Sequence, residues 1–329
     1  MHYTVGSRGS ALALAQTGEV VSRLTEAYPE HSFEVITIST RGDRILDRPL
    51  DEIGSRGVFV QEIEEALLEG RIDFAVHSMK DLPSEQAPGL VLAKAWRRED
   101  PRDVLVLRDP APGPGDRLLK LKKGAVLAAG SRRRTSQLLK IRPDLTILPI
   151  RGNVDTRLRK LFAPGPGEPV LDGIVLAAAG LTRLGRADEI SAYLPVEQML
   201  PAPAQGVLGM ELRKEDAALR QILDGLSDPE TELFAGLERG FLKAVGGDCH
   251  AAVGAYADRV QGALRLRVMY AGRDGAQPAF AEVREDRDIE KDEGGCSDKT
   301  AEALVRAAFD RVQKELSRLS GACGEEGLQ

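Results

Sequence analysis

The stretch GAVLAAGSRRRTSQLLKI (124–141) decides how the chain is read. A run of small apolar residues leads straight into a serine, three consecutive arginines and a helix-forming segment. The run suits a buried strand and Ser131 stands where an N-cap belongs, so the pattern predicts a strand over 124–129 and a helix over 132–141. Cations at a helix N-terminus oppose the macrodipole, at roughly a few tenths of a kcal/mol or more. A plain solvated turn gains nothing from that arrangement. An anion held at the strand end does.

The same strand-then-helix unit recurs on both sides. HYTVGS is a short strand, and SALALAQTGEVVSRLTEAY (10–28) is a helix capped by Ser10 with a stripe of Leu14, Val21, Leu24 and Tyr28. SFEVITIST (32–40) is β-branched and apolar enough for a buried central strand. VFVQEIEEALLEG (58–70) is a helix with Val60, Ile63 and Leu67 on one face, followed by strands RIDFAVHS (71–78) and LVLAKAW (90–96). Such alternation implies a parallel sheet covered by helices. RREDPRD (97–103) marks the first boundary. A second alternating block then runs through DVLVLRD, the opening stretch, LTILPI, a helix capped by Asn153, and GIVLAAAGL, before AQGVLGMELR (204–213) forms a strand. PAPGPG (110–115) and APGPGEP (163–169) are turns. Beyond about residue 220 the pattern changes to two helices, a meander of VGAYA, ALRLRVMYAG and AFAEVRE, and a helix over 299–319. The segment DRDIEKDEGGCSD and the tail SGACGEEGLQ read as solvated. The expected organisation is an α/β domain of 1–97 with 203–219, a second α/β domain of 103–196, and an α+β domain of 222–329.

Composition narrows the class. The chain has 329 residues, a formal net charge of −6, 42% hydrophobic and 29% charged residues. An acidic balance argues against a nucleic-acid partner, so the arginine runs belong to a local cleft. Three cysteines at 249, 296 and 323 give neither a disulfide framework nor a metal array. The opening residues MHYTVGSRGS do not show a charged region followed by an apolar core, as a signal sequence would, and GIVLAAAGL (173–181) is too short to cross a bilayer. The expectation is a cytoplasmic enzyme or binding protein for a small molecule, without metal, membrane or nucleic acid, and nothing demands more than a monomer.

Open α/β sheets bind ligands at the carboxyl ends of their strands, and several charged motifs fall there. GSRGS places Arg8 and Ser10 at a helix start, as a capped terminus with a chance arginine or as an anion site. SRRR places Ser131, Arg133 and Arg134; RGNVDTR places Arg151 and Arg157; LTRLG places Arg183. HSMKDLP sets Lys80 and Asp81 side by side, either as a surface pair worth under about 1 kcal/mol or as a carboxylate kept ionised among cations. VGGDCHAAVG puts Cys249 in a glycine-bearing loop, where an inert thiol and an attachment point are both open readings.

Together these motifs resemble the porphobilinogen deaminase family. The stretches that carry the resemblance are GSRGSALALAQ, STRGD, GVFVQEIEEALLEGRIDFAVHSMKDLP, REDPRD, SRRR, RGNVDTRL, LAAAGLTRLG, LPAPAQGVLGMELR and GGDCH, spanning residue 4 to about 256. The resemblance implies two periplasmic-binding-protein-like α/β domains plus a smaller α+β C-terminal domain with an antiparallel three-stranded sheet. It implies head-to-tail condensation of four porphobilinogen molecules into linear hydroxymethylbilane with release of ammonia. It also implies a dipyrromethane cofactor joined by a thioether to Cys249. By motif match, Lys80, Asp81, Ser131, Arg133 and Arg134 hold the cofactor. Arg8, Ser10, Arg151, Arg157 and Arg183 hold substrate and growing chain, and Asp81 is the catalytic aspartate.

Two departures from the family pattern stand out. Ala129, Gly130 and Ser131 replace a threonine and serines, with Arg132 added, and Asp248 takes a position often filled by glycine. Arg132 is expected to compensate for the lost hydroxyls or to face solvent, and Asp248 to turn away or engage a local cation. The rival readings are a non-catalytic two-domain receptor for a small carboxylate ligand, which needs neither Cys249 nor Asp81, and a phosphate-ligand enzyme, which lacks the usual glycine patterns.

Overall fold

The computed structural model describes residues 1–40, 60–109, 118, 120–246, 251–272, 277–285 and 298–325. The STRGD motif beyond Thr40, the turn PAPGPG, Cys249 with Asp248, and most of DRDIEKDEGGCSD lie outside the described residues.

Three sheets organise the chain. The first has the order β2-β1-β3-β10-β4, from β1 (His2–Arg8), β2 (Ser32–Ile38), β3 (Phe74–Ser78), β4 (Leu90–Leu92) and β10 (Leu208–Arg213). Here β1 runs parallel to β2 and β3, while β10 is antiparallel to β3 and β4. The second sheet, β7-β6-β8-β5-β9, is built from β5 (Asp103–Leu107), β6 (Val126–Ala129), β7 (Thr146–Pro149), β8 (Gly173–Ala177) and β9 (Ala192–Tyr193). It repeats the plan: β6 is parallel to β7 and β8, and β5 is antiparallel to β8 and β9. In each sheet the antiparallel fourth strand is the one that arrives from the other unit. The alternation that reads as a parallel sheet thus gives a parallel set of three strands extended by an antiparallel one.

Period-two alternation explains why the second sheet is covered on both faces. Val104 and Val106 pack on one side with Ile174 and Leu176, while Leu105, Leu107 and Val175 pack on the other. Helix α3 (Arg132–Ile141) supplies Leu138 to the second group, and α4 (Val154–Phe162) supplies Leu158 and Leu161 to the first. Around the first sheet, α1 (Ala11–Ala27) contributes Val20 and Leu24, and α2 (Gln61–Leu68) contributes Ile63 and Leu67 to the opposite face. Two sequence expectations fail here. SFEVITIST is an edge strand that is largely solvent-facing, because β1 flanks it on one side only. Leu14 is exposed, and the buried side of α1 carries Gln16 and Thr17 instead.

The third sheet is the antiparallel meander β11 (Val253–Val260), β12 (Ala263–Tyr270) and β13 (Ala279–Glu285). Phe241 of α7 (Pro229–Ala244) and Leu304, Ala308 and Val312 of α8 (Asp298–Glu325) close its core. The terminal helix thus continues through part of the tail that reads as solvated in sequence. Between α5 (Ala178–Arg183) and α7 lies α6 (Ala217–Asp224), whose Leu219 and Leu223 join the first core.

The chain crosses between the two α/β units twice, and the crossings are bonded to one another. Glu99 N donates to Gly206 O (3.3 Å), Arg98 Nε to Gln205 O (2.7 Å), and Gln205 Nε2 to Pro101 O (2.7 Å). The buried Glu238 carboxylate of α7 fastens this junction to the third unit. It accepts both Nη atoms of Arg98 and the N–H groups of Ala204 and Ala257, so all the donors aimed at it are matched. Gly206 has φ +92°, and a Cβ there would stand 2.4 Å from Glu99 O. Gly206→Ala is therefore expected to lower unfolding stability by about 2 kcal/mol or more, combining left-handed strain with a backbone clash. Denaturant titration reads the shift in midpoint.

Candidate functional site

The site grows from the carboxyl ends of the strands. At the end of β1, Arg8 is followed by Ser10, whose Oγ caps α1 by accepting from Ala13 N at 3.3 Å. β3 ends at Ser78 and turns through a single 3-10 turn, Met79–Asp81, which presents Lys80 and Asp81. Arg8, Ser10, Gln16, Ser78 and Asp81 line one cleft. Gln16 Nε2 donates to Ser78 Oγ (2.8 Å), which fixes the wall between α1 and β3. Gln16 was missed by sequence reasoning, although a polar pair on what should be the apolar side of α1 was the available signal.

From the second sheet, β6 delivers Ser131, which caps α3 by accepting from Arg134 N at 3.3 Å. The three arginines then separate by helical geometry. Arg132 is exposed, as one of its two expectations had it, whereas Arg133 and Arg134 are buried. Both buried guanidiniums meet the fully buried carboxylate of Asp103. Arg133 Nη1 reaches Oδ2 at 2.7 Å, and Arg134 Nη2 and Nε reach Oδ1 at 2.7 and 3.2 Å. Arg133 Nη1 also donates to Leu200 O, and Arg134 Nη1 to Val175 O at 3.0 Å. Among the described residues, Arg133 Nε and Nη2 take no other partner. Gln205 Nε2 donates to the same Asp103 Oδ1 at 3.0 Å, and Lys80 Nζ donates to Gln205 Oε1 at 3.3 Å.

Arg157 follows the Asn153 cap of α4, and its Nε donates to Gly152 O at 2.8 Å. A Cβ on residue 130 would lie 2.9 Å from Arg157 Nη1 and 3.2 Å from Ile150 O. The guanidinium fills the space a side chain at 130 would need, which gives the Gly130 departure a physical reason. Arg151 is half-buried and sits close enough to Arg157 to repel it. Arg183, at the end of α5, is engaged elsewhere: its Nε donates to Glu19 Oε2 of α1 at 2.9 Å and its Nη2 to Gly206 O at 3.1 Å. That contact ties the two α/β units together across α1 and α5.

Charge is unevenly distributed in this cluster. Burial alone would raise the Asp103 carboxyl, but Arg133 and Arg134 outweigh it and hold the group well below the usual carboxylate range. Burial lowers Lys80 to about 8, reinforced by Arg134 and Arg133 and opposed by Asp81 and Asp103. Burial likewise lowers Arg157 to about 10, with Arg134 adding to the effect and Asp81 resisting it. Among the described residues, Lys80, Arg133, Arg134 and Arg157 thus outnumber Asp81 and Asp103; burial is the main cause that depresses the first and last of them, and the neighbouring guanidiniums add to it. Asp103 and Gln205 are functional candidates that the sequence reading passed over. Their signals were a carboxylate opening the apolar strand DVLVL and an amide inside APAQGVLG.

Two α/β units joined by paired crossings, with cations and one exposed aspartate converging at the strand ends, define a two-unit α/β protein with a cationic cleft. The family model described as "Porphobilinogen deaminase, dipyromethane cofactor binding domain" matches residues 3–221. A porphobilinogen deaminase of Lachnospira eligens is 51% identical over 86% of this chain and 94% of its own length. That of Clostridioides difficile is 47% identical over 86% and 91%, and that of Geobacillus kaustophilus 45% identical over 95% and 98%. A solved periplasmic binding protein of Salmonella typhimurium, described by its high arginine specificity, aligns over 70% of this chain and 95% of its own, with 13% identity and a TM-score of 0.36. The chain belongs to the porphobilinogen deaminase family.

The depressed Lys80 generates a pH prediction. Its folded pKa lies below the unfolded value of 10.5. Between about 8 and 10.5 the unfolded chain therefore holds more protons, and stability of the ligand-free protein rises with pH across that window. Thermal melts of wild type against Lys80→Met should show this rise in wild type alone. Binding of a carboxylate ligand should run the other way, weakening as pH passes about 8, and Lys80→Arg should remove that limb because guanidinium stays charged.

Proposed function

We propose that this cleft condenses four porphobilinogen molecules head to tail into the linear tetrapyrrole hydroxymethylbilane, releasing ammonia, as a transferase of the tetrapyrrole and heme pathway primed by a covalent dipyrromethane. The observation that carries the reading is an acidic side chain, Asp81, set among Lys80, Arg134 and Arg157 in a cleft of surplus positive charge. Each pyrrole unit brings an acetate and a propionate, so an oligopyrrole is a polyanion that matches this surplus.

The donor set fits the cofactor. Lys80 is an ammonium with one neutral acceptor, and Arg133 keeps Nε and Nη2 in reserve. Those groups, with Arg134 and the Ser131 hydroxyl, are proposed to hold its carboxylates, and Cys249 to carry its thioether. When bound, the dipyrromethane supplies the free α-carbon from which the chain grows. Arg8, Ser10, Arg151 and Arg157 are proposed to orient the incoming substrate through its carboxylates, bidentate guanidinium pairing being suited to them. Arg183 is assigned to the same task, with Glu19 as its present partner.

Asp81 is the proposed catalytic group. Loss of ammonia from porphobilinogen breaks a C–N bond and leaves a cationic methylene-pyrrole whose charge is shared with the ring N–H. C–C bond formation then places positive charge on the newly joined ring until its α-proton leaves. An ionised carboxylate hydrogen-bonded to pyrrole N–H groups stabilises both cations and can move those protons.

The working unit is proposed to be a cytoplasmic monomer of three domains, 1–97 with 203–219, 103–196 and 222–329, without a nucleic-acid partner. The net charge of −6 supports the last point. No helix among the described residues is long and apolar enough to cross a membrane. A carboxylate receptor without catalysis is less well supported, since relatives named porphobilinogen deaminase match over nearly their whole length.

Intact mass tests the cofactor and its attachment. The purified chain should exceed its polypeptide mass by one dipyrromethane, and Cys249→Ser should remove the excess. Asp81→Asn keeps shape and much hydrogen bonding, so it should retain the added mass yet lose nearly all turnover in a porphobilinogen assay. Wild-type rates in that variant would overturn the catalytic assignment.

A further inference from the structure

The arginine pair and Lys80 come from different sheets, yet one buried carboxylate reaches all three. Asp103 opens β5 immediately after the crossing from the first unit, and it is completely shielded from solvent. Its Oδ2 receives Arg133, and its Oδ1 receives Arg134 and Gln205. Gln205 stands on the return crossing, is itself buried, and passes its Oε1 to Lys80 on the first unit. The amide is held on its other side by Pro101 O, so its orientation is fixed: Nε2 toward Asp103 and Oε1 toward Lys80.

We propose that Asp103, with Gln205 as its relay, is the positioning residue of the cofactor cradle: it aims the Arg133 and Arg134 guanidiniums and anchors the Lys80 ammonium, so that donors from both α/β units are set before the cofactor's carboxylates arrive. Asp103 does not touch the cofactor in this scheme. It acts through the cations it holds. Three physical arguments support it. Two adjacent buried guanidiniums repel each other, and a shared counterion is what permits their close approach. Asp103 uses Arg133 Nη1 alone, which leaves that guanidinium's Nε and Nη2 free of other partners among the described residues. A preset donor array also avoids the ordering cost that long, mobile cations would otherwise add to binding. The inference rests on the reading of this cluster as a cofactor cradle.

The test uses full-length chains purified from cells that cannot make porphobilinogen, with two readouts. The first is the rate of mass gain when porphobilinogen is added. The second is the pH midpoint for acetylation of Lys80, followed by peptide mass. The charged groups facing Lys80 are Asp81 beside it, Arg133 and Arg134 from α3, and Asp103 from β5, with neutral Gln205 as its acceptor. Asp103→Asn removes a stabilising charge and Gln205→Met removes the acceptor. Either should slow loading by about tenfold or more, as removal of a supporting hydrogen-bond partner does at other preorganised sites. Either should also lower the Lys80 midpoint by about one pH unit. Asp100→Asn, whose carboxylate pairs with Arg102 in the same crossing, should match wild type in both.

Loading at the wild-type rate in Asp103→Asn and Gln205→Met would overturn the proposal. So would slower loading with an unmoved Lys80 midpoint, which is the mark of a purely structural role. If Asp103→Asn fails to fold, Gln205→Met decides, since it leaves both arginine ion pairs in place. If wild type gains no mass, the cradle reading fails, and the Lys80 midpoint alone reports whether Asp103 anchors it.

Discussion

Two guanidiniums sharing one buried carboxylate is the contact on which the rest of this molecule depends. Arg133 and Arg134 are consecutive in sequence and buried together, an arrangement that Coulomb repulsion forbids without a counterion. Asp103 is that counterion, and β5 brings it from the segment that crosses between units. The same residue therefore begins a core strand, ends a crossing and balances the charge beneath the cleft. Removing one partner from such a set leaves an uncompensated buried charge, commonly worth about 3–5 kcal/mol.

The remaining imbalance is as informative as the balance. Glu238 receives four donors and is fully matched, which suits a carboxylate whose task is to join the third unit to the crossings. The cleft is built differently. Lys80 and Arg157 are buried beside further guanidiniums, and their pKa values fall chiefly because of that burial. On the proposed reading, an anionic ligand would meet cations that are already desolvated and aimed.

How much of this was legible depended on whether the cause was local. Caps at Ser10, Ser131 and Asn153 are dictated by the residues next to them, and each accepts the backbone N–H its position implies. Helix 132–141 and the terminal meander followed from periodicity for the same reason. Lateral order is not local. SFEVITIST carries the composition of an inner strand but lies at an edge, and AQGVLGMELR enters its sheet antiparallel because it returns from another unit. Within the site, cationic residues could be read off the strand ends. Asp103 could not, since it lies about thirty residues from its arginines and its role exists only once β5 and β6 share a sheet.

The Glu19–Arg183 bridge carries a consequence of its own. Because the guanidinium already has a carboxylate at 2.9 Å, any newcomer there performs an exchange, and gains only the difference between two similar contacts. Selectivity at that point would reward reach and valence above charge: a ligand tethered elsewhere in the cleft can evict Glu19, whereas a free monocarboxylate in solution has little leverage. Each eviction would also cut a strut between the two α/β units, so occupancy and hinge freedom would change hands together.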